Sequence, residues 1–487
     1  MQKQIQDGYI IKKKAVSGVF WQTFSNVLQF PINFAVLIVI ARLLSPKEFG
    51  VVALASSIII FFSALSSWGT SNILIQKKNL TSEFIDTFFT LQIVISVLIF
   101  ILIIAGRFIF FKFYELAVVN SLTFLGLIFI FETVQIIPKC LLQKELILKA
   151  DAILRLVATI ISSLIVIVVA YLGMSYWSLV IFRGSEVLVL FIGYFVLCSH
   201  KFKILIDRES FKFFFIKGKS YFAGENLIRF NHNFDDYLLG TLKGSRTLGL
   251  YSMSYRFSEI LSNIISPAVD SSAFPTYSKF QDDRAKLSQS YSMIISSLFR
   301  LSLLFYLPVG LLIYELVNLI YGPKWVEISN VFRMLIPYGI FISIARNSMI
   351  LFNSKNDPER VLKINLIQAL ILAPLLFIFI KFFGVSGVAI AVDIMIIAAV
   401  VLYFIYAQKY VDLNLVKIFV PPLIASIISI GISYPLYEYL SPFLDDIFKI
   451  LIFGVLSAGI FLFVLFLMER RELKLIYGLL LSVFKKG

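Results

Sequence analysis

Residues 221–255 read YFAGENLIRFNHNFDDYLLGTLKGSRTLGLYSMSY. Up to its glycine-containing turn this stretch is long enough for a membrane helix, yet it holds Glu225, Arg229, His232, Asp235 and Asp236. Glu225, Arg229, His232 and Asp236 fall at i, i+4, i+7 and i+11, a spacing that sets them on one helix face. Asp235 lies about 100° away around the same helix. A charge at the bilayer centre costs about 2.5–3.5 kcal/mol on insertion scales, so such a stripe is expected to face protein or a water-filled cavity rather than lipid.

The surroundings support a membrane setting. The chain has 487 residues, 59% of them hydrophobic and only 15% charged. That composition is an all-α polytopic membrane protein, not a soluble domain with a large core. Two cysteines, Cys140 and Cys198, rule out a disulfide framework. We find no HExxH, CxxC, P-loop or dinucleotide fingerprint, and the two histidines are far apart, so neither a metal site nor a cofactor is expected. The net charge of +15 is spread over short loops between apolar runs, which points to topology rather than nucleic acid. The start, MQKQIQDGYIIKKK, leads straight into a full-length span, and no cleaved leader is expected.

Apolar runs of about 20 residues mark membrane helices. We place them at 18–41, 50–73, 84–106, 118–138, 152–172, 176–197, 220–241, 249–272, 292–314, 330–352, 361–381, 384–406, 416–437 and 447–468, 14 in all, the seventh and eighth being the polar ones. Residues 473–486, LKLIYGLLLSVFKK, are too short to span and read as an interfacial amphipathic tail. With the N-terminus inside, the inner segments hold roughly 28 of the basic residues and the outer loops roughly 9, which places both termini in the cytoplasm. No outer loop exceeds about 15 residues, which argues against a membrane glycan polymerase needing an extramembrane catalytic loop.

The chain also repeats weakly. ARLLSPKEFGVVALA (41–55) aligns with GTLKGSRTLGLYSMS (240–254), pairing Gly50 with Gly249 and Lys47 with Arg246. LGMSYWSLV (172–180) aligns with FGVSGVAIA (383–391), pairing Gly173 with Gly384 and Ser175 with Ser386. Six helices per repeat preserve orientation, so we expect parallel lobes, 1–206 and 207–411, followed by a two-helix appendage and tail at 412–487. The first helix has its own stripe, Gln22, Asn26, Gln29 and Asn33, again at i, i+4, i+7 and i+11. Two lobes with polar helices facing one another suit alternating access around a central cavity.

In that cavity Arg229 suits a pyrophosphate, because a guanidinium fork binds phosphate oxygens bidentately and stays charged. Its pairing with Glu225, and that of His232 with Asp236, could equally be internal to the helix. Arg256, Glu259 and Asn263 extend the polar pattern on the eighth helix, with Asp270 further round. We take Arg229, Arg256, Gln22, Asn26, Gln29, Asn33 and His232 as candidate substrate ligands, and Asp235, Asp236, Glu225 and Glu259 as candidates for ion coupling. Arg155, Arg300 and Arg346 read as snorkelling to an interface, and Arg183 with Glu186 as a structural pair. Trp21, Tyr221 and Tyr255 are candidate stacking surfaces for sugars.

ARLLSPKEFGVVALA resembles the ARxLGPxxFGxxALA signature of polysaccharide flippases in the multidrug/oligosaccharidyl-lipid/polysaccharide exporter superfamily. NFDDYLLGTLKGSRTLGLYSMSYRF resembles the second-lobe signature of that family, with Asp235 at its Asp position. FPTYSKFQDD (274–283) and YGPKW (321–325) are similar to the branch that contains the colanic-acid and teichuronic-acid exporters. Ser45 and Ser254 depart from the usual Gly and Ala. The resemblance implies flipping of undecaprenyl-pyrophosphate-linked oligosaccharide units across the bacterial cytoplasmic membrane, a basic headgroup cavity, coupling to an H+ or Na+ gradient, and partners among polysaccharide assembly proteins. A multidrug cation exporter of the same superfamily, a glycan polymerase and a non-transporting scaffold or scramblase are the competing readings.

Overall fold

The computed structural model describes residues 2–66 and 68–484, with side chains described over 17–470 apart from residues 19, 67, 220, 267, 268, 270 and 271. Among the described residues every regular element is helical. The chain divides into two compact units, Met1–Gly249 and Leu250–Gly487.

The first unit holds α1 (Gln2–Leu43), α2 (Pro46–Ala64), α3 (Thr70–Gln76), α4 (Ser82–Ala105), α5 (Arg107–Phe113), α6 (Leu116–Val134), α7 (Ile136–Lys144), α8 (Leu148–Tyr171), α9 (Trp177–Leu197), α10 (Arg208–Lys243) and the opening residues of α11 (Ser245–Ser258). The second completes α11 and adds α12 (Ile260–Lys279), α13 (Arg284–Ile320), α14 (Ile328–Met334), α15 (Ile336–Ser354), α16 (Pro358–Phe383), α17 (Val385–Ala407), α18 (Leu415–Leu440) and α19 (Asp446–Phe484).

Among the described residues, 11 helices are long and apolar enough to cross a membrane, and α14 with α15, bent by 47°, makes a twelfth. The polar α10 and the α11–α12 pair occupy the places of the seventh and eighth expected spans, so the 14-helix plan is compatible with this architecture. The largest departures are breaks. The second expected span ends at Ala64 and resumes as α3 after Gly69, whose φ of +64° is a left-handed turn conformation that suits glycine. α10 begins 12 residues before its expected start (Arg208 against 220), because Asp207 caps it, accepting from the Ser210 N–H at 2.8 Å and hydroxyl at 2.7 Å. Those bonds hold the Asp207 carboxyl below its ordinary pKa. α19 is interrupted at Glu469 (φ −126°, ψ 30°). The side chains of the expected amphipathic tail lie outside the described ones.

α10 is fixed within the first unit by aromatic contacts. Phe61 of α2 meets Phe230, Phe234 and Tyr237 at 5.2–6.3 Å between ring centroids. Trp68 meets Phe215 and Phe222 at 5.0 and 4.8 Å. The segment leading into α10 is fastened along α4: the Lys203, Leu205 and Asp207 N–H groups donate to Asp86, Thr90 and Thr87 at 3.1, 3.0 and 2.9 Å. Three N–H groups of a segment outside any helix are thus satisfied by helix side chains.

The repeat-related glycines pack against one another. A Cβ on Gly50 would overlap the Ser245 carbonyl, and one on Gly249 would overlap the Pro46 carbonyl. Residues 46 and 50 correspond to 245 and 249 in the repeat, so the contact is reciprocal. Gly50→Val is expected to force the α2 and α11 backbones apart, and overpacking of this kind costs about 1–3 kcal/mol. A lowered thermal midpoint of the purified protein in detergent checks it, and an unchanged midpoint would contradict the close approach.

Candidate functional site

The first unit encloses a cavity of about 350 Å³ whose lining includes Ser63, Thr70, Gln92, Glu132, Arg183, Glu225 and Arg229. Six helices supply those groups. α10 presents Glu225 and Arg229 one turn apart, as the stripe predicts. Asn72 of α3 donates to Glu225 at 3.0 Å, and Arg229 donates to the Ser63 hydroxyl of α2 at 2.9 Å. Arg183 of α9 donates to Glu132 of α6 at 2.5 Å and to Glu186 at 2.9 Å. Gln92 of α4 donates to the Thr70 hydroxyl at 2.7 Å. In low dielectric each charge is tolerable only because an opposite charge or a strong donor stands beside it.

The remaining members of the α10 stripe are placed differently. His232 is uncovered by the chain and Asp236 is half-buried, whereas Asp235 is 2% exposed on another face. On α1, Asn26 and Asn33 are uncovered and Gln22 is half-buried. Gln29 turns to α8: its amide donates to Ser25 at 2.7 Å and its oxygen accepts from Thr159 at 3.3 Å. Of the three candidate sugar-stacking aromatics, Trp21 has the Lys149 ammonium 4.7 Å from its ring and Tyr221 donates to Gln76 at 2.9 Å. Tyr255 is hydrogen-bonded to Tyr338 through their hydroxyls.

The second unit has a polar network of its own, centred on Glu259 at the break between α11 and α12. Glu259 accepts from the Tyr338 hydroxyl at 2.9 Å and from Arg346 at 3.4 Å. Arg346 also donates to Ser262 and Asn263, at 3.1 and 3.2 Å. Arg256 is uncovered. Asp393 of α17 accepts from the Tyr338 backbone N–H at 2.9 Å. That N–H lies in the first turn of α15, just after the 47° bend and Pro337, where no carbonyl precedes it in helical register. A carboxylate inside an apolar helix is here a cap supplied by a neighbour. Asp270 lies outside the described side chains.

The arginines read as snorkelling are paired instead. Arg346 is in the Glu259 network, and Arg155 donates to Asp151 at 2.6 Å, whose other oxygen accepts from Tyr194 at 2.6 Å. Arg300 is 7% exposed and holds Glu469 through two bonds of 2.7 and 2.5 Å. Periodicity could not find these partners because most lie on other helices. Among the described residues no group of three or more His, Cys, Asp or Glu side chains is placed to hold a metal.

This arrangement of membrane helices around paired charges has close counterparts. The chain superimposes on the lipid II flippase MurJ in its inward closed conformation with a TM-score of 0.74 and 15% identity, covering 94% of this chain and 100% of that one. It therefore has the fold of that class of polytopic membrane proteins. An uncharacterized membrane protein in the cps region of Klebsiella pneumoniae is 22% identical over 395 residues, 78% of this chain and 79% of that protein. The lipopolysaccharide biosynthesis protein WzxC of Escherichia coli K12 is 22% identical over 423 residues, 81% of each. The profile of the polysaccharide biosynthesis protein family matches residues 39–330, more than half of the chain, and the chain belongs to that family.

Proposed function

We propose that this protein is a transporter, not an enzyme, and that it moves undecaprenyl-pyrophosphate-linked oligosaccharide units from the inner to the outer leaflet of the bacterial cytoplasmic membrane. The observation that carries the reading is a cavity lined by two arginines, two glutamates and several hydroxyls inside apolar helices, in a chain of the polysaccharide biosynthesis family. Ionisable groups within membrane helices commonly mark a substrate or ion path. Arg229 of the first unit supplies a guanidinium group for the pyrophosphate, with His232 and the α1 amides Gln22, Asn26, Gln29 and Asn33 as further polar candidates, and Arg256 is the candidate guanidinium of the second unit. Alternating access between the repeats carries the headgroup across while the lipid tail stays in the bilayer. Coupling to an H+ or Na+ gradient falls to Glu225, Asp235, Asp236 or Glu259. The basic inner loops support cytoplasmic termini, and proteins of polysaccharide assembly are the proposed partners.

Reconstitution tests this. Proteoliposomes loaded with fluorescent undecaprenyl-pyrophosphate-linked oligosaccharide should expose the glycan to an external quencher faster than protein-free liposomes, with acceleration under an imposed H+ or Na+ gradient. Rates equal to protein-free liposomes would overturn the reading. Gradient-driven ethidium movement without glycan movement would favour a multidrug cation exporter.

A further inference from the structure

We propose that the cavity of the first unit is a sugar-reading subsite, and that Gln92 with its Thr70 partner recognises the hydroxyls of a neutral hexose or N-acetylhexosamine of the transported glycan. The inference rests on the transport reading above and names what that site takes. Gln92 is 1% exposed and lines the cavity, and its Nε2 is spent on Thr70. Its Oε1 has no hydrogen-bond partner among the described residues. A buried amide oxygen left unmatched is costly, so a donor arriving there is favoured.

The lining argues for a polyol over an ion. Arg183 is already shared by Glu132 and Glu186, so beside the Arg229 guanidinium assigned to the pyrophosphate the lining adds no second free cationic fork, and the rest of it is left for the sugar. Glu225 accepts from Asn72 and Glu132 from Arg183, so the carboxylates do not converge as cation ligands do. The rest of the polar lining includes the Ser63 and Thr70 hydroxyls, which can both donate and accept. Between the polar groups the lining is apolar, with Ile59, Leu125, Ile128 and Phe129. A pyranose has this same division, with hydroxyls around its rim and C–H groups on its faces. The volume of about 350 Å³ is at the low end of small-molecule pockets, which run from about 300 to 1,000 Å³. It is ample for one or two sugar rings and larger than a bare ion needs. The nearby carboxylates disfavour an acidic sugar.

Saturation-transfer NMR on the full-length protein in nanodiscs tests the site. The probes are glucose, galactose, mannose, N-acetylglucosamine and N-acetylgalactosamine, with glucuronic acid and inorganic pyrophosphate as acidic comparisons. At least one neutral sugar should give saturation transfer, reduced fivefold or more in Gln92→Leu and retained in Gln92→Glu, which keeps the acceptor. Ile59→Trp, which fills the cavity from an apolar lining position, should give the same loss, so the test stands even where Gln92→Leu folds poorly by its thermal midpoint. No transfer from any neutral sugar, equal transfer in Gln92→Leu and Ile59→Trp, or stronger transfer from glucuronic acid would overturn the proposal. Glycan movement in proteoliposomes without neutral-sugar binding would overturn this inference and leave the transport reading standing. Neutral-sugar binding without glycan movement would overturn the transport reading instead.

Discussion

Arg300→Ala is expected to destabilise the protein by about 3–5 kcal/mol, the cost of leaving one member of a buried ion pair without the other. Arg300 and Glu469 are 7% and 5% exposed by side chain and 169 residues apart in sequence. Two short bonds join them. Glu469 also stands where α19 leaves helical geometry, and its side chain is held from α13. Removing the guanidinium strands a carboxylate there. Replacing both partners, Arg300→Met with Glu469→Leu, should recover most of the loss, because an apolar pair of similar volume does not need the desolvated charges. Thermal unfolding in detergent reads both. A single variant that melts like the parent, or a double variant no better than the single one, would show that the pair is not where the stability resides.

Arg229→Ala is expected to reduce glycan movement in proteoliposomes by about 30-fold, corresponding to the loss of about 2 kcal/mol when a hydrogen bond from a charged group to the headgroup is removed. The side chain donates to Ser63 and shares the cavity with Glu225. Its removal therefore takes away a phosphate donor and leaves a carboxylate in low dielectric without its neighbouring cation. Arg229→Lys should restore only part of the rate, since an ammonium keeps the charge but not the planar fork. Arg256→Ala should act in the same direction. Normal transport by both alanine variants, with normal membrane insertion, would remove these arginines from the headgroup path.

These results also mark what could be read without coordinates. The spacing of Glu225 and Arg229 puts them on one face, and the structure brings both to one cavity. The repeat pairs Gly50 with Gly249, and each meets the other's backbone. Both signals are local, a periodicity or a matched motif, and need no knowledge of which helices touch. The failures are non-local. Glu132 and Arg183 are 51 residues apart, Arg229 and Ser63 are 166 apart, and Gln92 carries no periodic signal that separates it from a core amide. Arg300 and Arg346 read as snorkelling because their carboxylates are on distant helices.

The sequence by itself determined the membrane class, the approximate helices, the repeat and the charged face of α10. Hydrophobic run length and 3.6-residue periodicity are properties of single segments, and lipid tolerates few alternatives. Only the tertiary structure decided which charges share a cavity, that Asp393 caps α15, and that Glu469 answers Arg300. Those pairings depend on how each helix is rotated and where it bends against its neighbours, and close packing fixes both only when the helices meet.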